Sequence, residues 1–273
     1  MNKTILITGA STGIGQASAL YFAERNWNVV ATMRSPEKQE TLKNNEHILV
    51  LPLDVEQPEN IHQAIKEGIA HFGKIDALLN NAGYGQHGIF EATSPEQIQK
   101  QFSVNLFGSM NVIRAILPHF RERKDGTIIN VTSGVGRVTV PLVSVYAASK
   151  FALEGFCESL SFELASQNIK VKIIEPGNIA TNFEQTTKAN FAKDDALTDY
   201  KEYLEGMDKI FQSIYSGGGS TPEDVAACIF EAATDESDVL RYVIGDDLKP
   251  LIDIRNNGTD ESYMQVLRKL FTP

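Results

Sequence analysis

Short apolar runs alternate with longer helical patterns along most of the chain. Runs rich in β-branched residues predict strands at residues 3–8, 28–33, 48–53, 75–80, 127–132, 170–175 and 241–244. Helical periodicity or a proline-containing cap predicts helices at 13–26, from Ser35-Pro36-Glu37, at 59–72, 95–123 and 145–167, and from Thr221-Pro222. Nearly continuous apolar strands linked by helices predict an α/β fold with a parallel sheet covered on both faces.

The chain shows no internal repeat and no change of composition that would mark a boundary. Gly217-Gly218-Gly219-Ser220 is too short for a linker and leads straight into a capped helix, so we expect a surface loop there. With 42% hydrophobic and 22% charged residues, the 273 residues have the composition of a folded globular protein. We expect a single domain over residues 1–273.

Charge and cysteine content exclude several classes of function. A net charge of −10 disfavours binding to nucleic acid. Apolar runs are too short for a membrane span, and the strand that starts near Lys3 leaves no room for a signal peptide. Cys157 and Cys228 are too few for a disulfide framework, and the histidines lack ligand spacing, so no metal site is expected. These features predict a cytoplasmic protein.

A glycine-rich turn joins the first strand to the first helix. Its sequence is Thr8-Gly9-Ala10-Ser11-Thr12-Gly13-Ile14-Gly15, and its G-x-x-x-G-x-G spacing departs from the general dinucleotide fingerprint. A glycine turn at the start of a helix directs backbone N–H groups toward one point, which suits a pyrophosphate. The alternative is a glycine-rich turn without a ligand.

The end of the second strand bears on the choice of dinucleotide. An acidic residue at that position would bind the ribose 2′-hydroxyl of NAD. The sequence has Ala31-Thr32-Met33-Arg34 instead, and a guanidinium can bind a 2′-phosphate through several donors. We therefore favour NADP over NAD, the alternative being that Arg34 is a solvated loop charge paired with Glu37.

A candidate catalytic group follows the fifth strand. Tyr146 and Lys150 lie four residues apart on one face of the predicted helix. A cation about 4 Å from the phenolate would lower the tyrosine pKa by roughly three units before desolvation is subtracted. Ser133 ends the fifth strand and Asn80–Gly83 ends the fourth, so both meet the glycine turn at the carboxyl edge of the sheet. Asn105 is a polar residue within the long helix.

Taken together, these motifs and Pro176-Gly177 resemble the short-chain dehydrogenase/reductase family over residues 1 to about 181. The resemblance implies a Rossmann-type, doubly wound, mostly parallel seven-stranded sheet and a catalytic tetrad of Asn105, Ser133, Tyr146 and Lys150. It assigns Tyr146 as general acid/base, Ser133 to the carbonyl oxygen, Lys150 to the nicotinamide ribose and Asn105 to a relay water. It further implies cofactor contacts from Asp54, Val55, Asn81, Ala82, Gly83, Pro176, Gly177, Ile179 and Thr181.

The implied reaction is hydride transfer between NADP(H) and a ketone, aldehyde or secondary alcohol. Alternatives are an NAD-dependent dehydrogenase of the same fold, a dinucleotide-binding redox sensor without turnover, and a sugar-nucleotide epimerase or dehydratase. Family members commonly form dimers or tetramers through the helices at 95–123 and 145–167, so a homo-oligomer is expected by resemblance.

Residues 182–216 are the expected substrate lid. Apolar residues from Tyr200 to Ile214 recur at helical spacing, which predicts an amphipathic helix and an apolar substrate. The alternative is that this stripe packs on the domain or on a second subunit. Residues 250–273 predict a short terminal helix that closes the pocket or docks a partner chain, and His87 lies in a loop that could reach the substrate.

Overall fold

A parallel sheet forms the centre of the computed structural model, which describes residues 2–179, 187–215 and 219–272. Its strands are β1 (Thr4–Thr8), β2 (Asn28–Met33), β3 (Ile48–Pro52), β4 (Ala77–Asn80), β5 (Gly126–Val131), β6 (Ile169–Pro176) and β7 (Arg241–Ile244). They lie side by side in the order β3-β2-β1-β4-β5-β6-β7. The predicted doubly wound α/β fold is confirmed, and the seven strands are all parallel.

Helices cover both faces of this sheet. They are α1 (Gly13–Ala23), α2 (Pro58–Phe72), α3 (Pro95–Phe102), α4 (Ser109–Arg123), α5 (Ser144–Ala165), α6 (Lys201–Tyr215), α7 (Pro222–Thr234), α8 (Lys249–Asn257) and α9 (Asp260–Leu270). In β1, Leu6 packs toward α2, α4 and α5, whereas Ile5 and Ile7 pack toward α1 and α7. Because successive strand side chains point to opposite faces, a strand covered on both must be apolar throughout. In the described ranges no helix has both the length and the apolar character to cross a membrane.

Three helical predictions are wrong in detail. The segment after Ser35 forms only a 3₁₀ turn, Pro36–Lys38, and the Gln39 side chain then accepts the N–H groups of Thr41 and Leu42 at 2.8 and 3.4 Å. A π-helical turn, Ser103–Gly108, interrupts the long helix between α3 and α4. The C-terminal segment forms two helices, because Gly258 ends α8 and Thr259 begins α9 with its own capping box.

Candidate active site

The glycine-rich turn between β1 and α1 presents free backbone donors at the edge of the sheet. Gly9 and Gly13 have φ angles of 69° and 56°, which residues with a Cβ rarely adopt. A Cβ on Gly15 would lie 2.3 Å from the carbonyl oxygen of Gly9, so only glycine allows α1 to start this close to the turn. Thr12 is the N-cap, yet its side chain makes no capping hydrogen bond, and the first turn of α1 carries no acidic residue. The start of α1 therefore suits an anion.

Residues after β4 brace this turn. The Asn81 amide donates to the carbonyl oxygens of Thr8 and Gly9, both at 3.0 Å. In return, the Thr8 hydroxyl accepts the backbone N–H groups of Asn81 at 3.0 Å and Ala82 at 3.1 Å. Predicted cofactor residues from two separate motifs are thus hydrogen-bonded to each other, and Asn81 and Ala82 stabilise the conformation of the glycine-rich turn.

The rim beyond β2 carries the residue predicted to select the cofactor. Arg34 is exposed immediately after β2, and among the described residues its guanidinium forms no hydrogen bond or ion pair, so the alternative pairing with Glu37 is not formed. Gln39, which the sequence analysis missed, is buried and donates to the Ser11 carbonyl oxygen at 3.0 Å. That contact ties the rim to the glycine turn across 28 residues of sequence, and no local pattern indicates it.

The predicted adenine contacts lie after β3. The Asp54 carboxylate accepts the backbone N–H of Glu56 at 3.0 Å, which closes a tight turn. Val55 is buried, and a Cβ on Gly108 would lie 2.6 Å from its Cγ2. Its side chain therefore packs into the core against the π-helical turn and leaves only its backbone for a ligand.

Ser133, Tyr146 and Lys150 meet at the carboxyl edge of β5. Ser133 follows this strand, and its hydroxyl lies beside the phenol of Tyr146, in the first turn of α5. Lys150 lies one turn further along α5, with Nζ 5.8 Å from the centroid of the Tyr146 ring. Its ammonium donates to the Val131 carbonyl oxygen at 2.9 Å, which fixes it against the end of β5.

Burial dominates the electrostatics of this group. It raises the pKa of Tyr146 to about 12, although the neighbouring Ser133 hydroxyl acts in the opposite direction. It also lowers the pKa of Lys150 to about 8, against the attraction of the Glu154 carboxylate. The Tyr146 pKa is therefore raised, where the sequence predicted a lowered value, because desolvation by burial is the largest contribution. At pH 7 the phenol keeps its proton.

Asn105 lies in the π-helical turn and is almost fully buried. Its Oδ1 accepts the backbone N–H of Tyr84 at 3.1 Å, and its Nδ2 donates to the Tyr84 carbonyl oxygen at 2.9 Å. A Cβ on Gly83 would lie 3.3 Å from Oδ1. Short π-helical turns within helices are frequent at functional sites. Here the turn lets Asn105 hold the loop after β4, and its role in a proton relay stays a prediction.

The segment after β6 closes the other side of the site. The Pro176 carbonyl oxygen accepts the Ser133 hydroxyl at 3.4 Å, and Gly177 donates to the Ile244 carbonyl oxygen at 2.8 Å. Asp247, which the sequence analysis missed, accepts the backbone N–H of Asn178 at 2.9 Å. It lies 69 residues away in sequence, so no local signal could have found it. Ile179 bridges to Ser220, and Thr181 lies outside the described residues.

The amphipathic stripe forms α6, as predicted, with Met207 fully buried. A cavity of about 510 Å³ separates the start of this helix from the loop after β4 and the entrance to α5, and is lined by Gly88, Ile89, Phe90, Glu91, Leu142, Ser144, Tyr200 and Tyr203. Phe211 also contacts Phe271 at a ring-centroid distance of 6.1 Å, which joins α6 to the C-terminal segment. Residues 182–186 and 216 of the predicted lid lie outside the described residues.

Comparison with known proteins agrees with this architecture. A family model described as short chain dehydrogenase matches residues 3–191. An uncharacterized oxidoreductase of Schizosaccharomyces pombe is 39% identical over 87% of this chain and 98% of its own. Human retinol dehydrogenase 8 is 34% identical over 98% of this chain and 90% of its own.

Two solved structures have the same overall fold. A short-chain dehydrogenase from Streptomyces avermitilis superposes with a TM-score of 0.82 at 31% identity, covering 98% of this chain and 96% of that one. ElxO with NADP bound gives a TM-score of 0.74 at 27% identity, covering 89% and 97%. The family model, the related sequences and the fold agree, and the chain belongs to the short-chain dehydrogenase family of oxidoreductases.

Proposed function

We propose that this protein is an NADP(H)-dependent carbonyl reductase or alcohol dehydrogenase. It transfers hydride between the nicotinamide and an apolar ketone, aldehyde or secondary alcohol, with Tyr146 as general acid/base. The observation that supports this most directly is the position of Tyr146 at the carboxyl edge of β5, beside Ser133 and one helical turn from Lys150, whose Nζ lies 5.8 Å from the centroid of the tyrosine ring. A redox sensor that only binds the dinucleotide needs no such group.

When bound, the nicotinamide supplies or accepts the hydride, and side chains of the protein hold and transfer the proton. In the reducing direction Tyr146 donates its proton to the carbonyl oxygen, and Ser133 donates a hydrogen bond to that oxygen as its negative charge grows. The high pKa of the buried phenol keeps this proton in place at neutral pH. Lys150, held by the Val131 carbonyl oxygen, supplies a positive charge and a donor for the nicotinamide ribose. Asn105 positions a water that continues the relay.

The start of α1 suits the pyrophosphate that both dinucleotides carry, because the Thr12 side chain makes no capping bond and the first helical turn has no acidic residue. Two observations favour NADP over NAD. Arg34 is an exposed cation where an NAD enzyme would carry an acid, and its guanidinium is available for a 2′-phosphate. The ElxO structure, which resembles this one, contains NADP. An NAD-dependent enzyme of the same fold is the alternative.

The lining of the cavity supports an apolar substrate. Ile89, Phe90 and Leu142 line one side of it, and Tyr200 and Tyr203 line the side toward α6. The name of the related retinol dehydrogenase indicates an alcohol of this character for that protein. Residues 182–216 then act as the lid, and residues 250–273 as a C-terminal extension that contacts α6 through Phe211 and Phe271.

We further propose that residues 1–273 form one domain, that the protein is cytoplasmic, and that two or four copies associate. Phe107, next to α4, is 52% exposed, and Phe162, on α5, is 78% exposed. Apolar rings on two neighbouring helices are typical of a surface that another copy covers. Sedimentation of the purified protein measures the number of copies directly.

The test is oxidation of NADPH in the presence of apolar ketones, with Tyr146→Phe as the matched variant. The wild-type protein is expected to turn over, and the variant to lose roughly a hundredfold to ten-thousandfold in rate, as for removal of a general acid. NADPH affinity, measured by fluorescence titration, is expected to change little because the ring remains. Unchanged turnover in the variant would contradict the assigned role of Tyr146, and binding without any turnover in the wild type would favour the redox sensor.

A further inference from the structure

His87 lies beside the proposed catalytic tyrosine, and one of its ring nitrogens is buried without a hydrogen-bond partner among the described residues. The centroid of its imidazole is 5.8 Å from that of the Tyr146 ring. Its Nε2 is shielded from solvent, and no hydrogen-bonding group of the described residues reaches it. A buried polar atom without a partner is costly in a folded protein and is rare unless a ligand or another group uses it.

The backbone around His87 is held rigidly. The His87 carbonyl oxygen accepts the N–H of Ala192 at 2.8 Å, and the Gly88 N–H donates to the Leu142 carbonyl oxygen, also at 2.8 Å. The Gln86 side chain donates to the Asn190 carbonyl oxygen at 2.7 Å. These three hydrogen bonds reach two separate segments, one at Asn190 and Ala192 and the other at Leu142, and they fix the backbone that carries the imidazole, as a preorganised binding group requires.

The surroundings of the ring indicate which chemistry it can recognise. Burial lowers the pKa of His87 to about 4, so the imidazole is neutral at pH 7, with one N–H donor and one acceptor nitrogen. Gly88 and Ile89, which follow it, line the cavity, and so does Ser144, two residues before Tyr146. Among the described residues that line this cavity, the only charged side chain is Glu91, bonded to the Tyr200 hydroxyl at 3.0 Å. An anionic substrate is disfavoured there.

We propose that His87 determines substrate specificity by binding an uncharged oxygen, a hydroxyl or a second carbonyl, close to the reacting carbonyl of an otherwise apolar substrate. This inference rests on the proposed function and extends it to the substrate class. The imidazole discriminates between a plain ketone and one that carries such an oxygen, because only the second satisfies the buried nitrogen. A single neutral hydrogen bond of this kind corresponds to about a fivefold preference in kcat/KM.

The test compares a straight-chain methyl ketone with its α-hydroxy and β-hydroxy analogues of equal chain length. Steady-state kinetics are measured for the wild type, His87→Phe, His87→Gln and a control, His62→Phe, whose histidine is exposed on α2. The wild type is expected to prefer at least one hydroxyketone. His87→Phe is expected to lose that preference through a raised KM, because the contact is made to a non-reacting atom. His87→Gln, which keeps a polar group near the position of Nε2, retains part of it.

Each outcome separates this inference from the proposed function. If the wild type reduces none of the three ketones, the proposed function fails. If it reduces them without preferring a hydroxyketone, or if His87→Phe lowers kcat/KM for all three by the same factor, only the role of His87 is overturned. NADPH titration of both His87 variants shows that each is folded, since His87 lies outside the glycine-rich turn.

Discussion

Replacement of Lys150 by methionine is expected to abolish activity while making the protein more stable. The pKa of Lys150 falls from its ordinary value of 10.5 to about 8, and burial is the largest cause. A difference of this size corresponds to a destabilisation of about 3 kcal/mol at pH 7. The methionine loses the hydrogen bond to the Val131 carbonyl oxygen, which is worth about 1 kcal/mol. The expected net gain in the free energy of unfolding is about 2 kcal/mol.

The direction in which stability changes with pH follows from the folded and unfolded pKa values of Lys150. The folded pKa of Lys150, about 8, lies below the unfolded value of 10.5, so the unfolded chain binds more protons between these two values. Wild-type stability therefore gains from Lys150 as the pH rises through this window, and the cost of burying the charge is fully present below pH 8. The advantage of Lys150→Met is expected to shrink from pH 7 to pH 10.

Urea unfolding of both proteins at several pH values measures this difference. Tyr146 and Cys157 also have raised pKa values, and loss of Lys150 raises the Cys157 pKa further because Lys150 lowers it in the wild type. Both groups stay protonated in the folded protein between pH 7 and pH 10 with or without Lys150, so their contributions cancel in the difference. Glu154 keeps its contact with Arg241 at 3.0 Å in the variant, so it is not left as an isolated buried charge. A variant less stable than the wild type at pH 7, or a difference that does not change with pH, would refute the reasoning.

Two further variants test the cofactor site. Arg34→Asp is expected to shift the ratio of kcat/KM from NADPH toward NADH by at least tenfold, because the carboxylate repels a 2′-phosphate and binds a ribose hydroxyl; Arg121→Asp, an exposed residue of α4, is the control of equal charge, and an unchanged ratio in Arg34→Asp would remove the argument for NADP. Gly15→Ala is expected to lower the free energy of unfolding by about 1–3 kcal/mol and to weaken dinucleotide binding in fluorescence titration, because its Cβ meets the Gly9 carbonyl oxygen at 2.3 Å. Gly155→Ala on α5, where nothing lies within 4 Å of the added carbon, is expected to be neutral or stabilising, and equal effects of the two changes would show that the contact is unimportant.

Sequence patterns located the strands because the signal is local. A strand covered on both faces must be apolar throughout, so β1, β2 and β7 lie within the predicted boundaries or match them. The spacing of Tyr146 and Lys150 likewise places both on one face of α5 once the helix forms. The resemblance of these motifs to the short-chain dehydrogenase/reductase family then predicted the remaining site residues.

The sequence predicted the local backbone conformation less well. The helix predicted after Ser35 is a short 3₁₀ turn, because the Gln39 side chain takes over the backbone donors of Thr41 and Leu42 and also reaches Ser11. The π-helical turn around Asn105 depends on Tyr84, 21 residues earlier, whose backbone binds both ends of the amide. Helical periodicity does not reveal such contacts, since they join segments far apart in the chain.

The sequence by itself determined which elements form, where the glycine-rich turn lies and which side chains follow the ends of the strands, since each depends on neighbouring residues. Tertiary structure decided the electrostatics and the finer geometry. Packing buries Tyr146 and Lys150 deeply enough for desolvation to be the largest cause of both pKa shifts, so the tyrosine pKa is raised where the sequence predicted a lowered value. It also brings His87 to Tyr146 and Asp247 to the segment after β6. Burial and long-range contact are properties of the folded chain, and no local pattern encodes them.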